Sequence, residues 1–186
     1  MKKHNIYLVF SKTGTWLSTS IGLVTSIPYP HVSLSLDTNF NKMYTFGRIN
    51  VDNPFSGGLT IENLHCGVYN NPGCKCLIYT IPVSTEQLVL LNKQLSEYYS
   101  SDINYKYNFL GLFGILLDKP LKRTNHYFCS QFVSKLLIES GIYKTSKPPE
   151  LISTTDLMLI PNKEVIFEGL LYEFTKLPPS PAILHL

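Results

Sequence analysis

Cys129 and His31 are the two residues whose types and settings point most directly to chemistry. Cys129 opens the run Cys129-Ser130-Gln131-Phe132-Val133-Ser134-Lys135-Leu136-Leu137. Phe128, Phe132, Val133, Leu136 and Leu137 have the apolar spacing of a helix, and Ser140-Gly141 ends it. A thiol in the first helical turn meets unpaired backbone N–H groups and the positive end of the helix dipole, and both favour thiolate. A catalytic thiolate also needs an imidazole within reach. His31 is the best candidate, in Tyr29-Pro30-His31-Val32-Ser33-Leu34-Ser35-Leu36-Asp37. Here Val32, Leu34 and Leu36 face one way, while His31, Ser33, Ser35 and Asp37 face the other. Such a pair would support nucleophilic catalysis, with His31 taking the thiol proton and later protonating the leaving group. The backbone N–H of Cys129 would be a natural donor to the oxyanion.

Each residue also has an ordinary reading, Cys129 as a core thiol and His31 as a strand-end histidine. A third polar group should orient the imidazole. The segment Lys42-Met43-Tyr44-Thr45-Phe46 reads as the strand returning beside His31 and offers Thr45 first, Tyr44 second. Glu62 reads as a loop carboxylate near a Cys/His group and is a weaker candidate. His126, three residues before Cys129, reads as a turn residue. His65 lies in a loop, and His4 and His185 near the chain ends.

The remaining elements must position this pair. Ile6-Tyr7-Leu8-Val9-Phe10 reads as a buried strand, and 15–26 as a short helix broken by Pro28 and Pro30. Thr38-Asn39-Phe40-Asn41 reads as a hairpin turn. Positions 47–75, rich in Gly and Pro, read as a long irregular excursion with a short strand near Leu59-Thr60-Ile61-Glu62. Lys75 to Val83 reads as a strand with Pro82 at a rim. Ser84-Thr85-Glu86-Gln87 has the form of a capping box, and Leu88, Leu91, Leu95 and Tyr98 predict an amphipathic helix to about Ser100. Asn108 to Leu117 reads as a short helix or a buried loop beside the cysteine. A short capped helix near 156–160, a strand over 164–169 and a proline-rich tail follow.

The bulk numbers fit one domain, 1–186, with a real core. The chain is 44% hydrophobic and 16% charged, with 12 Tyr and 10 Phe. A net charge of +3 without a long basic cluster does not indicate a nucleic-acid face. Cys66, Cys74 and Cys76 crowd together, but Cys-x-Cys lacks the gap of structural zinc knuckles, so free thiols are expected and neither metal nor cofactor. The apolar run Ile6 to Phe10 is too short for a signal peptide, and no run reaches the length of a transmembrane helix. A cytoplasmic protein is therefore expected, and its oligomeric state is left open.

The segment Tyr29-Pro30-His31-Val32-Ser33-Leu34-Ser35-Leu36, followed much later by Tyr127-Phe128-Cys129-Ser130-Gln131-Phe132-Val133, resembles the YiiX-like branch of the NlpC-type cysteine hydrolases. Met43-Tyr44-Thr45-Phe46-Gly47-Arg48 and Asn53-Pro54-Phe55 with Gly57-Gly58 add to the likeness, which spans roughly residues 5 to 170. The resemblance implies a circularly permuted papain-like α+β fold, in which the His strand precedes the Cys helix. It further implies hydrolysis or acyl transfer at an amide, ester or thioester through an acyl-cysteine. The nucleophile would be Cys129 and the base His31, with a small acyl or peptide substrate. Relatives often carry a carboxylate, amide or His as the third residue, where this chain offers Thr45. The rival expectation is a binding module on the same fold without turnover.

Overall fold

A computed structural model describes residues 3–13, 27–49 and 56–176. The expected helix over 15–26, the Asn53-Pro54-Phe55 segment and the proline-rich tail lie outside the described residues.

The fold is α+β. Among the described residues eight strands form one sheet: β1 (Lys3–Lys12), β2 (His31–Ser35), β3 (Met43–Arg48), β4 (Gly57–Glu62), β5 (Lys75–Ser84), β6 (Lys106–Tyr107), β7 (His126–Tyr127) and β8 (Glu164–Leu170). Their order is β7-β6-β4-β3-β2-β1-β5-β8, and every neighbouring pair is antiparallel except β6 and β7. The described helices are α1 (Thr85–Ser100), α2 (Phe109–Leu116), α3 (Cys129–Glu139), α4 (Thr154–Met158) and α5 (Leu171–Phe174). None is long and apolar enough to cross a membrane.

The central strand β1 is apolar without alternation because both of its faces are covered. Ile6, Leu8 and Phe10 join the core under α1 and α3, with Val32 and Leu34 of β2, Phe46 of β3, and Leu91, Phe132, Val133 and Leu136 of the helices. Tyr7 and Val9 join a second core on the opposite face with Phe40, Met43, Leu64, Tyr69, Cys74, Cys76 and Leu171. Phe40 enters that core from the β2–β3 turn with φ +53 and stacks edge-on against Tyr7 and Phe174.

Helix α1 starts on the expected capping box: the Ser84 hydroxyl accepts from the Gln87 N–H, and the Gln87 side chain accepts from the Ser84 N–H. The Gln87 amide also donates to the Gly141 carbonyl at 2.7 Å, joining the start of α1 to the end of α3. Gly141, at φ +70, closes α3 in the left-handed conformation that glycine adopts without strain. Pro82 pairs opposite Asn5 of β1 but lies past the last β8 pairing at Thr80, so its missing N–H costs no ladder bond.

The 47–75 region is more regular than its composition predicts. Gly47 and Arg48 finish β3, and Gly57–Glu62 forms the full partner strand β4. The glycines there answer crowding. A Cβ on Gly57 would lie 2.6 Å from the Cβ of Tyr107, and one on Gly58 would lie 2.6 Å from the Tyr105 carbonyl oxygen. Strand β6 therefore passes closely over a glycine pair, a use of glycine inside a strand that composition alone reads as loop.

Candidate active site

Helix α3 reaches the sheet through an aromatic cluster. The Phe132 ring lies 5.1 Å from those of Phe46 and Tyr98, and Tyr127 packs 5.2 Å from Phe46. Ser130 adds an anchor, its hydroxyl donating to the Ile152 carbonyl at 2.7 Å. This packing fixes the first turn of α3 against the start of β2. Cys129 sits at that turn, only 3% exposed, with Phe128 as an N-cap that supplies no side-chain bond. The helix's first N–H groups are thus left for other acceptors.

The thiol sits among polar groups. Its Sγ lies 3.9 Å from the Pro30 carbonyl, to which the thiol donates, and the His31 ring and the backbone of Val32 and Ser130 are close enough to favour the thiolate. Burial pushes the Cys129 thiol up, but His31 and this backbone outweigh it and hold the group below its ordinary value of 9.0. Burial likewise opposes charge on His31, yet the Glu62 carboxylate and the sulfur carry it well above 6.5. By contrast, burial with no opposing partner pushes Cys74 up to about 11 and Cys76 up to about 12.

The orienting group is Glu62, at the end of β4. Its two carboxylate oxygens lie 3.1 and 3.0 Å from His31 Nε2, which leaves Nδ1 as the ring nitrogen for Cys129. The carboxylate also accepts from the Ser33 hydroxyl at 2.7 Å and from the Tyr69 hydroxyl at 2.8 Å. Burial would raise Glu62, but His31, Ser33 and Tyr69 together hold it below 4.5. Tyr69 arrives on a 3-10 turn, Gly67–Asn70, entered at Gly67 with φ +64.

The expected orienter, Thr45, does not meet His31. Its hydroxyl is buried and donates to the Val32 carbonyl at 2.8 Å, so its one proton is spent on the neighbouring strand. Thr45 lies on the correct strand beside His31, but Glu62 reaches the ring from one strand further out. The expected short strand near Leu59-Thr60-Ile61-Glu62 is present as β4, and the carboxylate read as belonging to a loop stands at its end. The other histidines stand apart from the thiol. His126 is tied to the Thr124 carbonyl and Arg123, His65 to the Asn39 carbonyl, and His4 to Thr85; His185 lies outside the described residues. The four cysteines are free, and no group of three or more metal-ligating side chains occurs among the described residues.

Gly47 makes room for this contact. A Cβ there would lie 2.9 Å from a Glu62 carboxylate oxygen and 3.5 Å from His31 Cε1. Because Ser33, Tyr69 and His31 pin that carboxylate, the added methyl must displace the pair. Gly47→Ala is expected to slow alkylation of Cys129 about tenfold or more, with a melting shift of only a few degrees. Wild-type rates in this variant would show that the His31–Glu62 geometry does not control the thiol.

Tyr107 covers the site from β6. Its phenol lies close enough to Cys129 for both the sulfur and the backbone there to bear on its ionisation. Burial and the adjacent sulfur push the phenol well above 10.0, so it stays protonated as a donor to the thiolate. The Tyr107 ring packs on Phe109, 4.7 Å between centroids.

No protein-family model, curated protein or solved structure matches this chain.

Proposed function

We propose that the protein is a cysteine hydrolase or acyltransferase of the permuted papain-like kind, acting on an amide, ester or thioester. The carrying observation is the part-buried arrangement of Cys129, His31 and Glu62, in which a carboxylate fixes one imidazole nitrogen and leaves the other for a thiol at a helix start. The Cys129 sulfur attacks the substrate carbonyl carbon, forming a C–S bond. The tetrahedral oxyanion sits at the Cys129 N–H. His31 delivers the proton to the leaving nitrogen, oxygen or sulfur as that bond breaks. Water or another acceptor, deprotonated by His31, then attacks the acyl-cysteine and releases the thiolate. Glu62 holds the ring in place and stabilises its charged form.

A second reading, a binding module without turnover, is favoured by the near-complete cover over the sulfur and by Tyr107 standing beside the Cys129 backbone, where the oxyanion would sit. One experiment separates the two. The protein and a Tyr107→Ala variant are incubated with p-nitrophenyl acetate near neutral pH and followed by intact mass and peptide mapping. The expected result is a single acetyl adduct on Cys129 that forms faster in Tyr107→Ala, where the oxyanion position is open. Absence of an adduct on Cys129 in both proteins would overturn the enzyme reading in favour of the binding module.

A further inference from the structure

We infer that α2 and the turn after it form a docking surface for an anionic phospholipid bilayer. The helix Phe109-Leu110-Gly111-Leu112-Phe113-Gly114-Ile115-Leu116 carries no polar side chain. Leu110, Gly114 and Leu117 follow at i, i+4 and i+7 and so share one face. Leu110 is 55% exposed and Leu117 68%. The gap left by Gly114 is filled from the following turn: a Cβ on Gly114 would lie 3.3 Å from Leu121 Cγ, and Leu121 is itself 41% exposed. The three leucines therefore form one continuous outward stripe, without an apolar partner to cover it among the described residues.

Cations border this stripe. The Lys119 N–H bonds to the Gly114 carbonyl, folding the turn back on the helix end, and Lys122 and Arg123 follow Leu121 directly. Lys106 pairs with His126 across β6 and β7, and Arg123 lies 3.2 Å from the His126 ring. All four cations are exposed, and none of them takes part in an ion pair among the described residues. Within the segment 106–123 the one acid is Asp118. Their surplus of three equals the net +3 of the whole chain, so the rest of the molecule is balanced.

The exposed apolar side chains of α1 and β8 lack this setting. Val89 and Leu90 share α1 with Glu86, Lys93 and Glu97, and Val165 lies between Glu164 and Glu168. An apolar stripe rimmed by lysine and arginine matches the interface of an anionic bilayer, where leucines enter the acyl boundary and cations meet phosphates. A second copy of the same surface would bring like charges together. Docking stands whether or not Cys129 turns over. It would seat the bilayer beside β6, whose Tyr107 covers the thiol.

The test is co-sedimentation with vesicles of mixed phosphatidylglycerol and phosphatidylcholine, against phosphatidylcholine alone. Retention is expected on the anionic vesicles and is expected to fall as salt rises. Lys119→Glu/Lys122→Glu should weaken it by at least about tenfold, and Leu110→Ser/Leu117→Ser should weaken it comparably. These positions are exposed, so far-UV dichroism and the alkylation rate of Cys129 should stay at wild-type values. No retention on anionic vesicles, equal retention on phosphatidylcholine alone, or undiminished binding by both variants would overturn the proposal. So would a dimer that ignores vesicles and is dissolved by the leucine variant.

Discussion

Replacing His31 with Ala is expected to slow the iodoacetamide alkylation of Cys129 near neutral pH by about a hundredfold and to move its pH profile upward. Burial alone would carry the thiol above its ordinary value of 9.0, as it carries Cys74 and Cys76 to about 11 and about 12. His31 reverses that sign at Cys129. In the wild type His31 favours the thiolate, so alkylation falls on the acid side as the sulfur takes a proton and persists on the alkaline side, where the sulfur stays ionised. Without the imidazole the acid limb must move up. Peptide mapping supplies internal controls: Cys74 and Cys76 should stay nearly unreacted, and exposed Cys66 should react more slowly than Cys129 despite its better access. Cys129 no faster than Cys66, Cys74 and Cys76, or an unchanged rate in His31→Ala, would remove the relay as a chemical unit.

The two ends of this relay were legible in the sequence because each rests on local pattern. A cysteine followed by apolar residues at helical spacing fixes its own place at a helix start, and alternation through Val32, Leu34 and Leu36 fixes the side of the strand that His31 takes. The capping box at Ser84 and the strand at Lys75 are local in the same sense. The middle of the relay was not legible, because Glu62 meets His31 only through sheet order. β4 must pair with β3, and Gly47 must leave space for a carboxylate to reach across it. Proximity along the hairpin favoured Thr45, whose hydroxyl instead satisfies a backbone carbonyl, the commoner use of a buried threonine. The approach of Tyr107 to Cys129 was hidden for a similar reason. Its two-residue strand is held by one pairing to Gly58 and two to His126 and Tyr127, too short to leave a periodic trace.

Removing the Glu62 carboxylate is expected to have the largest effect on stability, and two substitutions divide its roles. Glu62→Ala leaves His31 Nε2 and the Ser33 and Tyr69 hydroxyls without their shared acceptor in a buried setting. The expected cost is about 3 kcal/mol, a fall in melting temperature of about 6–12 °C for a domain of this size. Glu62→Gln keeps the shape and one acceptor oxygen, so its loss should be smaller and acylation of Cys129 should stay within about tenfold of wild type, since a neutral amide still orients an imidazole. What the amide cannot do is hold the imidazolium, so the thiolate loses support and the acid limb of Cys129 reactivity should move to higher pH in Glu62→Gln. The pH dependence of unfolding carries the same signature. Glu62 is held below 4.5 in the folded protein, so its contribution is present above that pH and is lost as acid titrates the folded group. His31 is held above 6.5, so its contribution is full below that pH and is lost as pH rises through the folded value. The network therefore stabilises the fold most between those limits, and Glu62→Gln should flatten the dependence on both sides. A melting profile of Glu62→Gln that keeps the wild-type slopes would show that the carboxylate and the imidazole are not coupled.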